Sequence, residues 1–202
     1  MKFLFIVQGE GRGHLTQAIT LEEMLLRNGH EVVEVLVGES SSRILPGFFN
    51  RNIQAPVKRF ISPNFLPAAD NKRVNLKKSF TYNLLCIPEY FRSMCYINQR
   101  IKETGAEVVI NFYELLTGLT YALFRPSVPY VCVGHQYLFL HQNFSQKHFF
   151  FFAAKLVYFF QNAGYGRLLA GSYDCLGVRV VKRRGAIAQF VHYFMHRLFV
   201  VQ

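Results

Sequence analysis

Residues 3–14 read Phe-Leu-Phe-Ile-Val-Gln-Gly-Glu-Gly-Arg-Gly-His, and this stretch decides how the rest of the chain is read. An apolar β run, Phe3 to Val7, stops at a turn with glycines at 9, 11 and 13 and closes on His14. Helix-compatible sequence follows from Thr16 to Asn28, with Gly29 placed as its C-cap. A strand, a glycine-rich turn and a helix form the first unit of a nucleotide-type fold. Backbone N–H groups at such a helix start favour an anion, and glycines allow a ligand to come close. A histidine at the same place can transfer a proton to or from that ligand.

The glycine spacing narrows the chemistry. A dinucleotide fingerprint needs G-x-G-x-x-G and an acidic residue about 20 positions further on. Here the third glycine comes one position early, and the candidate ribose carboxylates are Glu34, inside the apparent second strand, and Glu39. A phosphate loop would end in Gly-Lys-Ser/Thr, and this turn does not. The turn instead ends in Gly-His before Leu15-Thr-Gln-Ala18, and Arg27-Asn-Gly-His-Glu-Val32 follows.

At these residues the chain resembles the N-terminal half of GT-B glycosyltransferases. The likeness is to the group that holds the lipid-linked N-acetylglucosaminyltransferase of peptidoglycan synthesis and the UDP-sugar glycosyltransferases. A second matching stretch is Glu107-Val-Val-Ile-Asn-Phe-Tyr-Glu114, followed by Pro129-Tyr-Val-Cys-Val-Gly-His-Gln136. These read as strand four and strand five of the same half, and the resemblance covers roughly residues 1–145.

The coarse pattern is alternating β and α. Strands are expected at Lys2–Val7, Glu31–Val37, Val57–Ile61, Val108–Phe112 and Val128–Val133. Helices are expected at Thr16–Asn28, within Ser42–Asn50, over Ser79–Lys102 with a break near Pro88, and at Leu115–Phe124. A polar, basic loop spans Ser62 to Lys78. Apolar strands separated by helical segments imply a doubly wound parallel α/β sheet, Rossmann-like and covered on both faces. In such sheets ligands gather at the carboxyl ends of the strands. Gly9–His14, Asn111–Glu114 and Gly134–Gln136 all fall there.

Composition bounds the alternatives. A chain of 202 residues with 51% hydrophobic and 17% charged residues can build a core and is not disordered. Met1–Val7 is too short an apolar run for a signal peptide. Cys86, Cys95, Cys132 and Cys175 have no paired metal spacing, which fits a reduced, cytoplasmic protein. His192 and His196 are four apart but lack the glutamate of a zinc-protease helix, and His135, His141 and His148 have no accompanying carboxylate. No metal is expected.

Charge is uneven. Residues 115–202 carry nine Lys or Arg against the single acid Asp174, so most of the net +11 lies there. The same segment holds the aromatic run Phe149–Phe160, shorter than the roughly 20 residues that cross a bilayer. Bases beside a short aromatic segment suit an anionic membrane surface, and a buried core helix is the alternative. No helix-turn-helix, finger or RNP pattern points to nucleic acid. Within Ala186 to Val201, Ile187, Phe190, Phe194, Leu198 and Val201 recur at helical spacing, so a terminal helix is expected.

The resemblance implies roles for particular residues. His14 would be the general base that takes a proton from an acceptor hydroxyl as it attacks the sugar's anomeric carbon, and a helix N-terminus would favour the neutral imidazole a base requires. A capping or phosphate-contacting histidine is the plainer reading. Gly9, Gly11, Arg12 and Gly13 would cradle the acceptor or its diphosphate, with Arg12 suited to the anion. Glu114 would orient a histidine, or would simply be a solvated glutamate at a helix start. His135 and Gln136 would line the acceptor cleft, or form a plain turn.

The resemblance also sets the expected division of the chain: residues 1–171 as the acceptor-binding domain, and 172–202 as an unmatched basic tail. A second, donor-binding domain is not found in the sequence, so the chain alone is expected to be inactive. The expected function is the acceptor half of an inverting glycosyltransferase that uses a nucleotide-diphosphate sugar and no further cofactor. Its acceptor would be lipid-linked or membrane-proximal, and the protein peripheral at the inner face of the membrane. Alternatives are a non-catalytic, membrane-recruiting subunit of a split transferase and, third, a nucleotide-dependent oxidoreductase.

Overall fold

The computed structural model describes residues 1–40, 44–64, 75–133 and 167–169. Six parallel strands form one sheet: β1 (Lys2–Gln8), β2 (Glu31–Glu39), β3 (Val57–Ile61), β4 (Val108–Phe112), β5 (Tyr130–Val133) and β6 (Arg167–Leu169). Their spatial order is β3-β2-β1-β4-β5-β6, so the chain starts at the centre, winds outward, then returns to pair β4 with the free side of β1. The expected doubly wound α/β sheet is the observed one.

Period-two alternation splits the strands into two apolar faces. Phe3, Phe5 and Val7 of β1 join Val35, Val37, Val108, Ile110 and Phe112 on one face, under Leu15, Ala18, Leu21 and Leu25 of α1 (Arg12–Arg27). Phe49 of the short helix α2 (Gly47–Asn52) completes that layer. Leu4, Ile6, Leu36, Val109, Tyr130 and Cys132 point to the other face. There they meet Tyr90, Ile97 and Ile101 of α4 (Ile87–Glu103) and Leu116 and Tyr121 of α5 (Leu115–Phe124).

Two buried glutamates lock the layers. Glu22 of α1 accepts from the backbone N–H of Gln54 and Ala55, at 2.9 and 2.8 Å, and so ties the β3 approach to α1. Glu34 of β2 is held by Arg100 of α4 through Nε and Nη2, at 2.8 and 2.9 Å, and by Lys58 at 2.8 Å. Burial pushes the Glu34 carboxyl up, but these two cations outweigh it and hold it below its ordinary value.

The expected helical stretch over 79–102 is two helices, α3 (Leu76–Leu85) and α4, divided at Cys86. Pro88 sits in the first turn of α4, where its missing N–H has no intrahelical role. The expected polar loop therefore ends sooner, since α3 already begins at Leu76, with the Asn75 side chain accepting from Lys78 N at 3.0 Å.

Helix α3 is inside out. It turns Ser79 inward, and Asn83 donates to Asn64 O and accepts from Tyr90 OH, at 2.8 and 2.7 Å. Phe80 (71% exposed), Leu84 and Leu85 (75%) face outward, continued by Ile87 and Phe91 of α4. No described helix is long and apolar enough to cross a membrane. The Phe149–Phe160 run and the expected terminal helix lie outside the described residues.

Candidate functional site at the switch point of the sheet

Strand order reverses between β1 and β4, and the loops leaving these two strands diverge to opposite faces. A crevice at the carboxyl end is the geometric consequence, and it is where α/β sheets hold ligands. The loop after β1 supplies Gly9 to His14, and the turn after β4 supplies Tyr113 and Glu114.

On the β1 side the helix starts earlier than its sequence suggests. Gly11 is the N-cap in extended conformation (φ −117°, ψ 137°), and α1 runs from Arg12. Gly13 and His14 thus belong to the first helical turn and not to the loop. Two glycines in four residues argue against helix locally, but Leu15, Ala18 and Leu21 are buried on the sheet and carry the helix back to Arg12. No side chain caps the Gly11 end and no acid sits in the first turn, so the N–H groups and dipole of α1 are left open at this end of the helix.

The three glycines differ. Gly9 donates its N–H to Gly38 O at 2.7 Å, and a Cβ there would stand 2.8 Å from Val37 Cγ1. Its small size serves packing against β2. A Cβ on Gly11 would meet only His14 Cδ2 at 3.8 Å, and one on Gly13 would meet nothing within 4 Å. Their open surroundings leave room for a ligand. Arg12 is exposed beside them, and Glu10 reaches the end of β2, accepting from Ser40 N at 2.8 Å.

His14 is 5% exposed. Its imidazole lies nearly parallel to the Tyr113 ring, with centroids 5.6 Å apart and 11° between planes. Tyr113 has a left-handed backbone, φ 62°, in the turn that follows β4. Fully buried Asn111 brackets that turn: its Oδ1 accepts from Glu114 N at 2.9 Å and its Nδ2 donates to Glu114 O at 3.1 Å.

Glu114 caps α5, accepting from Leu116 N at 3.2 Å, but it is not the solvated helix-start residue that its position alone suggests. It is 1% exposed. Its Oε1 accepts from Ser62 Oγ at 2.6 Å, and the carboxyl occupies the space a side chain at Gly38 would need. Burial pushes its pKa from 4.5 up to about 7 against the hydrogen bonds that favour the charged form, with Glu10 adding repulsion. The carboxyl turns toward Ser62 and Gly38, and the ring set against His14 is that of the preceding residue, Tyr113.

The structure therefore places Gly9, Gly11, Arg12, Gly13, His14 and Glu114 at the carboxyl ends of the two central strands β1 and β4. His135 and Gln136 lie outside the described residues. Asn111 and Tyr113 fall within the Asn111–Glu114 stretch expected at the strand ends but carry no individual role there, and Ser62 and Gly38 are not singled out in the sequence. For Tyr113 and Asn111 a signal existed, since an Asn two and three residues before a turn and a helix start can bracket it. Ser62 and Gly38 become neighbours of Glu114 only through the strand order. Among the described residues no group of three His, Cys, Asp or Glu is disposed to hold a metal ion.

No curated protein matches the chain significantly. Among solved structures, the glycotransferase of kitacinnamycin is similar at 14% identity and a TM-score of 0.41, over 65% of this chain and 29% of that one. The chain thus spans under a third of that relative's length. The family model described as glycosyl transferase family 1 matches residues 1–154, which takes in both halves of the crevice. By that match, over three quarters of its length, this chain belongs to glycosyl transferase family 1.

Proposed function

We propose that this domain is the acceptor-binding half of an inverting glycosyltransferase, acting with a donor-binding unit that holds a nucleotide-diphosphate sugar. The observation that carries the reading is His14, in the first turn of α1 at the switch-point crevice, beside an N-terminus with no side-chain cap. An acceptor hydroxyl held there gives its proton to His14 as its oxygen bonds to the anomeric carbon. The bond from that carbon to the donor diphosphate breaks on the opposite side, so configuration inverts.

Arg12 and the N–H groups of the first turn suit an anionic acceptor such as a lipid diphosphate, with Gly11 and Gly13 leaving it space. Glu114 acts by fixing the turn that faces His14, and His135 and Gln136 extend the acceptor cleft after β5. The inside-out α3, with Lys77 and Lys78 exposed at its start, supports a membrane-proximal acceptor and a peripheral location on anionic lipid. The same face favours the second reading, a non-catalytic subunit that recruits a separate transferase to membrane.

The test is transfer of a radiolabelled sugar to membranes, by the chain alone and with the products of neighbouring genes. His14→Ala should lower turnover about 10²- to 10⁴-fold in the active combination, the usual worth of a general base. Full turnover in that variant rejects His14 as the base. Transfer to a detergent-dispersed acceptor by the partner alone, with this chain needed only when the acceptor sits in membrane, favours the recruiting role.

A further inference from the structure

We propose that Tyr113 is a positioning residue for His14, held in a left-handed backbone so that its ring fixes the imidazole. The proposal rests on the reading of His14 as the base. After Phe112 the chain must turn from the sheet into α5, and it does so with one residue at positive φ. Glycine takes that conformation freely, and an aromatic L-residue does not. A tyrosine there is backbone strain, and strain persists only where the surroundings over-determine it.

The surroundings do so. Both polar atoms of the Asn111 side chain grip the backbone of Glu114, one residue beyond Tyr113, and the Glu114 side chain is itself fixed by Ser62 Oγ and Leu116 N. The turn cannot relax without breaking buried hydrogen bonds. Its product is a phenol ring laid against one face of the His14 imidazole, 11° from parallel. With His14 already 5% exposed, the neighbouring ring limits rotation about its side-chain bonds, so the imidazole keeps one orientation. Burial pushes the Tyr113 hydroxyl up, and the ring is the part of the side chain set against His14.

Three substitutions separate these elements. Tyr113→Phe keeps the ring, Tyr113→Gly removes both ring and strain, and Tyr113→Asn removes the ring but accepts positive φ, which guards against misfolding of the glycine variant. The direct readout is the ring-proton shift of His14 in protein with labelled histidine, together with the rate at which diethyl pyrocarbonate acylates His14, resolved by peptide mass.

Phe should preserve the ring-current shift and the slow acylation. Gly and Asn should abolish the shift and speed acylation several-fold. In the active combination, Gly and Asn should lower kcat roughly ten- to a hundredfold with KM little changed, and Phe should stay near the parent. An unchanged shift and acylation rate in Gly and Asn would overturn the proposal whatever the transfer assay gives. A changed shift with undiminished kcat would overturn it too. Full turnover in His14→Ala would instead defeat the base assignment, a different failure from either of these.

Discussion

Glu114 carries a pH signature of its own. Its folded pKa of about 7 lies above the ordinary 4.5, so between those values the folded chain holds a proton that the unfolded chain has released. Stability then falls as pH rises through that window and stays at the lower level above it, by up to about 3 kcal/mol. Glutamine matches the protonated acid in shape. Glu114→Gln should therefore unfold at higher urea than the parent at pH 8 and at nearly the same urea at pH 4. Parallel midpoints across that range would contradict a protonated Glu114. The glycines give a second contrast. Gly9→Ala should destabilise through its collision with β2, whereas Gly13→Ala, inside a helix and open to solvent, should stabilise by about 0.5–1 kcal/mol. If the first turn of α1 holds an anion closely, Gly13→Ala should still lose transfer, and thermal melts beside assays would show the split. Sequence alone exposed His14 and the glycines, because their signal is local. It gave Glu114 its position at the helix start but not its burial, which depends on Ser62 and Gly38 arriving from two other strands.

Among the described elements, α3 carries the strongest exposed apolar surface, which the first turns of α4 continue. A helix that buries Ser79, half-buries Asn83 and exposes Phe80, Leu84 and Leu85 presents about the reverse of a soluble amphipathic pattern. Vesicles rich in anionic lipid should sediment the chain, and Phe80→Glu with Leu85→Glu should release it at least as effectively as raised salt. Sedimentation unchanged by the pair would place any lipid contact elsewhere. Element boundaries were most legible where the hydrophobic pattern and the flanking residues agreed. Val57–Ile61, Val108–Phe112 and Leu115–Phe124 are found at the expected residues. The start of α1 was misplaced by four residues because glycine propensity is a local quantity and the burial of Leu15 and Ala18 is not. Pro88 marked the break in the long helical stretch, although the turn itself falls two residues earlier.

At the scale of the molecule, strand order was legible only as a class. Alternation of apolar strands and helices implied a parallel sheet, but nothing local to β4 says that it pairs with β1, about a hundred residues away in sequence. That pairing is also what creates the switch point and brings Tyr113 to His14. It has a kinetic consequence. Strands β1, β2 and β3 and helix α1 can associate through short connections, whereas joining β4 to β1 closes the longest loop in the sheet. Loop-closure entropy makes such contacts late and slow. Until β4 docks, the central strand is an open edge with Phe3, Phe5 and Val7 half covered, so the nascent first half is the species most exposed to misassociation. The crevice comes into being with that docking step, so a chain interrupted before Val108 has the glycines and His14 but no wall for the imidazole to lean on.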